Sequence, residues 1–240
     1  MMKKINLFIF LALFSIQIFS QNNNGKLVYS AYLNQASFNK NISKSKNNKV
    51  KELIESQGKR KYLLLFNQFE SIFKQDEKLK NENYKGKIDL VSIFVGKGSY
   101  YYNLKTKELL NQKEVMGENF VVECDSDYNW VFIQETRKIG NFLCHKAVTT
   151  KTIKTKKGDY KEKPIVAWYT YDVPISFGIK DFQGLPGATV LLNGYTITYS
   201  LIEVKLNSLD KVDIKKPNRG KKITEKELDQ HLRENSFKGF

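Results

Sequence analysis

The residues best equipped for chemistry are two cysteines, two histidines and one dense aromatic stretch, and their spacing limits what they can do. Cys144 stands directly before His145, which would suit a nucleophile and its base, or two metal ligands, if both side chains faced one way. Adjacent side chains of a strand point to opposite faces, so the pair reads as one core-facing thiol and one surface imidazole. His231 lies far off, and no His or Cys grouping has metal-ligand spacing. No G-x-S-x-G, H-E-x-x-H, P-loop or EF-hand pattern occurs, and no two carboxylates are marked out as acid and base. The expectation is no catalytic residue, no metal and no cofactor, with a hydrolase built on dispersed carboxylates ranked behind two non-catalytic readings.

The even number of cysteines makes a Cys124–Cys144 disulfide a candidate in an exported chain. Geometry favours two thiols. In an up-and-down meander the pair would flank opposite ends of the 130–136 strand, roughly 20 Å apart, whereas a bridge needs Cα atoms within about 7 Å.

Trp168, Tyr169 and Tyr171 could stack on a sugar, a peptide or a lipid tail, and with Leu185 and Pro186 they form the candidate ligand or partner contacts. Tyr169 and Tyr171 share one face of a strand while Trp168 takes the other, so packing within a sheet competes with this reading. Gly184-Leu185-Pro186-Gly187 predicts a type II turn, with φ preset at Pro186 and positive at Gly187. Asn193-Gly194 predicts a type I′ hairpin in which Leu192 faces Tyr195, Val190 faces Ile197 and Ala188 faces Tyr199.

This stretch resembles the signature of the GLPGLI family of Bacteroidetes secreted proteins, whose biochemical function is not known. The likeness rests on Ala167-Trp168-Tyr169-Thr170, Val173-Pro174-Ile175, Gly178, Phe182 and Gly184 to Gly187, with Asn141 to Ala147 loosely like the preceding Cys-containing strand. Ile179 stands where the family usually has Pro, and Ala188-Thr189 replaces its Leu-Ile.

The elements that would carry these residues are mostly strands. Strand patterns fall at Lys26–Leu33, Lys61–Phe66, Phe69–Phe73, Ile88–Val95, Ser99–Leu104, Leu109–Met116, Asn119–Cys124, Trp130–Thr136 and Phe142–Thr152, before the aromatic stretch and its hairpin. Val50–Glu55 reads as one or two helical turns, and the polar stretches 39–48 and 75–87 read as loops. Thr224 with Glu227 forms a capping-box pattern ahead of Leu228, His231 and Leu232, which predicts a C-terminal helix. The fold expected is mainly β, an antiparallel meander in one strongly curved sheet or half-open barrel, with a two-sheet sandwich as the alternative.

Lys3 and Lys4 followed by the apolar run Ile5–Phe19 predict a secretory signal over residues 1–21, too short for a span of roughly 20 residues. Residues 22–240 then read as a single β-rich domain, exported to the periplasm or the extracellular space. The formal charge is +15, nearly all from lysine, with arginine only at 60, 137, 219 and 233. That balance describes a soluble basic surface rather than a dedicated nucleic-acid reader, and at most peripheral contact with a membrane. The partner expected is a lipid-like ligand held in the curved sheet, or else an envelope protein for which this chain is a structural or interaction component.

Overall fold

The computed structural model describes residues 24–34, 37, 48–76, 88–155, 158–207 and 212–236. The expected secretory signal and most of the stretches 39–48 and 75–87 lie outside the described residues. Twelve described strands share one sheet: β1 (Gly25–Leu33), β2 (Arg60–Phe66), β3 (Glu70–Gln75), β4 (Ser99–Asn103), β5 (Leu109–Val115), β6 (Glu118–Cys124), β7 (Val131–Ile139), β8 (Phe142–Lys154), β9 (Tyr160–Thr170), β10 (Ala188–Asn193), β11 (Ile197–Leu206) and β12 (Lys221–Thr224). Three helices with described bounds accompany them, α1 (Asn48–Glu55), α2 (Leu90–Val95) and α3 (Glu225–Ser236). No helix among the described residues is long and apolar enough to cross a membrane, which says nothing of a β-barrel.

The order β12-β6-β5-β4-β3-β2-β1-β11-β10-β9-β8-β7 joins two meanders through the β1·β11 ladder. All ladders are antiparallel except β12 on β6, so the sheet is mixed, and it replaces the two-sheet alternative. β6 and β7 follow one another in sequence yet stand ten strand spacings apart, about 48 Å if the sheet were flat. The six residues Asp125–Trp130 that join them span at most ~25 Å. The sheet therefore curls until its ends approach, while remaining open.

Inside the curl lies the main core. Leu27, Tyr29, Ala31 and Leu33 of β1 meet Tyr62, Leu64 and Phe66 of β2, the period-2 pattern of one buried face. The concavity is filled by Tyr171–Gly187, which joins β9 to β10. Val173, Ile175, Phe177, Ile179, Phe182 and Leu185 of that segment are all buried in the same cluster.

Three expectations are corrected. Ile88–Val95 is not a strand: Asp89 caps α2 by accepting from the Ser92 N–H (3.0 Å), Arg60 holds Asp89 at 2.8 Å, and Gly96 ends the helix at φ 85°. A short apolar run reads alike as strand or helix, and the cap decides. The β10–β11 loop is longer than two residues: Asn193 faces Thr198, Leu192 faces Tyr199, and neither Asn193 nor Gly194 has positive φ. The end of β1 pins that loop, since Asn34 donates from its side chain to Gly194 O (2.6 Å) and from its backbone to Thr196 O (2.8 Å). The four-residue slip preserves the facing parity, so Leu192, Ile197 and Tyr199 still point to the core, but a bulge between Thr189 and Leu191 turns Val190 to the other side. Finally, Gly187 is not at positive φ; Gly184 is, at 94°. Gly187 is needed for close approach, because a Cβ there would lie 2.1 Å from Thr170 O.

The C-terminal helix starts with the expected capping box. Glu227 N–H donates to Thr224 Oγ1 (3.2 Å) and Thr224 N–H donates to Glu227 Oε2 (2.7 Å). Leu228 is buried against Phe120, Val122 and Ile223, with Leu232 beside it and the His231 ring 5.3 Å from that of Phe120.

Gly187→Val should be the costlier glycine substitution. Alanine at Gly184 meets only ordinary contact with Trp130 (3.6 Å) and carries the left-handed penalty of ~1–2 kcal/mol, whereas a side chain at Gly187 must displace backbone, at ~3 kcal/mol or more. Urea unfolding of Gly187→Val and Gly184→Ala measures this, and equal midpoints would remove the close-approach account.

Candidate functional site

The segment Tyr171–Gly187 plugs the curled sheet, and the tip of this plug is a tight turn that carries two adjacent charges, Lys180 and Asp181. Ile179 and Phe182 form an isolated bridge, closed by Phe182 N–H donating to Ile179 O (3.0 Å). Lys180 between them has φ 57°, a left-handed conformation that a non-glycine residue adopts only under local constraint. That constraint comes from Gln183, buried beneath the turn, which accepts from Gly178 N–H (2.8 Å) and donates to Lys180 O (2.7 Å). Gly178 permits this, because a Cβ there would fall on Phe182 O.

Asp181 is 7 % exposed. Its Oδ2 accepts from Tyr128 Oη at 2.6 Å and is paired with Lys151 of β8. Burial by itself raises the carboxyl, but the charges of Lys151 and Lys180 and the hydrogen bonds from Lys151 and Tyr128 together hold it below its ordinary range. Asp181 Oδ1 has no hydrogen-bond partner among the described residues. Tyr128 comes from the segment joining β6 to β7, which is fastened to the plug a second time by Trp130 Nε1 donating to Gln183 O (2.7 Å).

Lys180 reaches the other way. Its ammonium donates to Val95 O at the end of α2 (2.8 Å) and sits 5.0 Å from the centre of the Tyr100 ring. Burial lowers it to about 8, against the opposing pull of the Asp181 charge.

Two clefts of different character adjoin at Lys151. One, of about 250 Å³, is lined by Ile153, Ile165, Phe182 and Tyr199 together with Lys151, Lys163 and Lys180. The other, of about 420 Å³, is lined by Asp125, Asp127, Asp181 and Glu225, by Tyr128, and by the 149–152 stretch of β8. Among the described residues no group of three or more His, Cys, Asp or Glu is placed to hold a metal ion.

Of the aromatic residues expected to contact a ligand, Tyr169 and Tyr171 meet on one face of the sheet and Trp168 takes the other, as strand alternation predicts. Trp168 packs with Cys144 and Val190, with the Arg137 guanidinium 4.0 Å from its ring centre, while Tyr169 belongs to the main core on the other face. Tyr171 is 54 % exposed and its hydroxyl lies 3.2 Å from that of Tyr169, beside His145. Leu185 is core and Pro186 is exposed. Both cysteines are free thiols. β6 does not lie beside β7 as a simple meander requires, so Cys124 and Cys144 sit near opposite ends of the sheet. Burial, reinforced by Glu225 and Asp181, pushes the Cys124 thiol up to about 12, so it is no thiolate near neutrality. Lys151, Lys163, Lys180, Asp181 and Tyr128 did not stand out in the sequence. Their one signal is the Lys-Asp pair interrupting the alternation of Val173, Ile175, Phe177 and Ile179.

Residues 154–191, from the end of β8 to the middle of β10, match the family described as "Protein of unknown function (Porph_ging)". No curated protein matches the chain. Among solved structures the chain is similar to PNGF-II in its P21 crystal form, with TM-score 0.50 and 12% identity over 88% of this chain and 33% of that one. The C2 form gives TM-score 0.46 and 15% identity over 84% of this chain and 30% of that one. The likeness is one of fold, and the chain spans about a third of the length of the PNGF-II chain.

Replacing Asp181 by Asn keeps the shape and removes the charge that Lys151 and Tyr128 address, at about 2 kcal/mol near neutrality. A carboxyl depressed in the folded state stabilises fully above its unfolded value, here the ordinary 3.8, and loses that contribution as pH falls through the folded value. The stability gap between wild type and Asp181→Asn should therefore shrink on acidification below about 4. Denaturant titrations across pH test this, and a gap that widens in acid would contradict it.

Proposed function

We propose that this chain is an exported, non-catalytic envelope protein of the GLPGLI type that holds a small amphipathic anion in the cleft of the concave face. The observation that carries the reading is the convergence of Lys151, Lys163 and Lys180 on a cleft otherwise lined largely by Ile153, Ile165, Phe182 and Tyr199. Lys151 is already engaged by Asp181, which leaves for the acid group Lys163, 4.3 Å from the Tyr195 ring centre, and the ammonium protons of Lys180 that are not given to Val95 O. At about 250 Å³ the cleft falls just short of the ~300–1,000 Å³ of drug-sized sites, so the occupant is a short acid or one end of a longer one.

Octanoate should bind and 1-octanol should bind less well, by isothermal titration. Octanoate affinity should fall as pH rises through about 8, where Lys180 loses its proton. Lys180→Met should bind octanoate about tenfold more weakly at neutral pH, the value of one charge-assisted hydrogen bond, and lose the pH step. Equal affinity for acid and alcohol, or a pH-independent affinity, would sink the proposal.

A second reading, an interaction component of the envelope, is favoured by the sheet edge. Among the described residues β7 pairs on one side only, and Val131, Phe132 and Ile133 are exposed there, a template for strand addition. Pull-down from envelope extract at low and moderate salt should recover one reproducible partner at both, lost when Phe132 is replaced by Ser. Recovery only at low salt is adsorption to scattered lysines and counts against it.

A further inference from the structure

The outward side of α2 is apolar where a surface helix is ordinarily polar. We infer that α2 and the lysines beside the cleft mouth dock the chain on an anionic lipid bilayer, with Ile88, Ile93 and Phe94 entering the headgroup region. The location beside the anion cleft gains its meaning from the proposed function, but the docking itself rests on α2 and its neighbours.

Leu90-Val91-Ser92-Ile93-Phe94-Val95 has one polar residue, the composition of a helix buried all round. Only one side is buried. Val91 and Val95, one turn apart, face the core, whereas Ile93 on the opposite side is 62 % exposed and Phe94 44 %. Ile88, 56 % exposed, stands just before the Asp89 cap, at the position that neighbours the fourth helical residue, Ile93. Ile88 and Ile93 thus make one patch, continued by Phe94. The helix is fixed in this pose: Asp89 is paired with Arg60, Gln57 accepts from Leu90 N–H (2.9 Å) and donates to Ile88 O (3.2 Å), and Lys180 donates to Val95 O.

Size and charge select the occupant. Three side chains fall far short of the ~800 Å² per partner that a stable protein interface buries, so neither a second copy nor a folded partner is matched to them. A bilayer surface needs only a few apolar side chains in its headgroup boundary, with cations around them to meet anionic lipids. The cations are in place. Phe94 lines the anion cleft together with Lys151, Lys163 and Lys180. On β8 and β9, Ile153 faces Lys161 as Lys151 faces Lys163, so the exposed Lys161 continues the row on the same side of the sheet. Lys97, also exposed, follows α2 after Gly96. The carboxylates that flank this region, Asp89 at the cap and Asp181 beside Lys180, are already paired with Arg60 and Lys151, in a chain whose net charge is +15.

Vesicle flotation of residues 22–240, free of the apolar 5–19 run, tests the docking. At about 0.15 M salt the protein should float with vesicles of phosphatidylcholine and phosphatidylglycerol in equal parts, and much less with phosphatidylcholine alone. Ile88→Ser/Ile93→Ser should weaken the anionic partition about tenfold. Neither residue lines the cleft, so octanoate affinity should stay at the wild-type value. Ile93→Trp, which keeps the apolar character, should retain binding, and its added fluorescence should be quenched by lipids brominated in the acyl chain, whereas the native Trp130 and Trp168 should not respond. Vesicle binding that depends on the isoleucines supports the docking even where wild-type protein binds no octanoate, a result that counts against the anion cleft alone. Equal flotation with both kinds of vesicle, an unchanged partition of the serine variant, loss of its octanoate affinity along with vesicle binding, an Ile93→Trp emission indifferent to brominated lipid, or a lipid-independent dimer that the serine variant abolishes would each overturn the docking.

Discussion

A stretch of irregular backbone, Tyr171–Gly187, is buried inside a curled sheet, and the rest of the structure is arranged to make that burial tolerable. Buried peptide groups need partners, and here no ladder supplies them. They are found within the segment and on its neighbours: Ile175 N–H on Val173 O, Gln183 N–H on Asp181 O, Ala188 N–H on Val173 O, and the Gln183 side chain bridging Gly178 and Lys180. Two glycines let backbone lie on backbone where it enters its tip and where it leaves, Gly178 over Phe182 and Gly187 over Thr170. The short link from β6 to β7 then draws the sheet ends together and fastens Tyr128 and Trp130 onto the same tip.

This arrangement places charge where it has most effect. Lys180 and Asp181 are neighbours at the tip, but one turns to α2 and the other to β8 and the β6–β7 link. Both are desolvated, so each interaction they make is stronger than it would be on the surface. Lys151 stands between them and borders both clefts, one lined by lysines over apolar side chains, the other by carboxylates and hydroxyls. Opposite local potentials a few residues apart arise in a chain whose net charge is +15.

What was legible in the sequence was local. Alternation marked β1, a continuous apolar run marked β2, and the Thr224/Glu227 pair marked the start of α3, because those signals act within a few residues. The β1·β11 ladder joins positions some 170 residues apart and no local pattern announces it. The type II turn expected at Pro186-Gly187 gave way to a packing demand, the proximity of Thr170 O, which is invisible without the fold. The same holds for the site. The division of Trp168 from Tyr169 and Tyr171 between two faces was legible from strand alternation, whereas Lys180 and Asp181 acquire their character only from burial.

The central claim is that the tip holds a desolvated ammonium beside an anion-accepting cleft. The most direct measurement is an NMR titration of the Lys180 side chain, isotopically labelled at its ε-carbon, with and without octanoate. The account predicts a midpoint of about 8 in the free protein and a higher one with octanoate bound, since an anion favours the charged form. A free midpoint near the ordinary 10.5, or one that octanoate leaves unmoved, would contradict it.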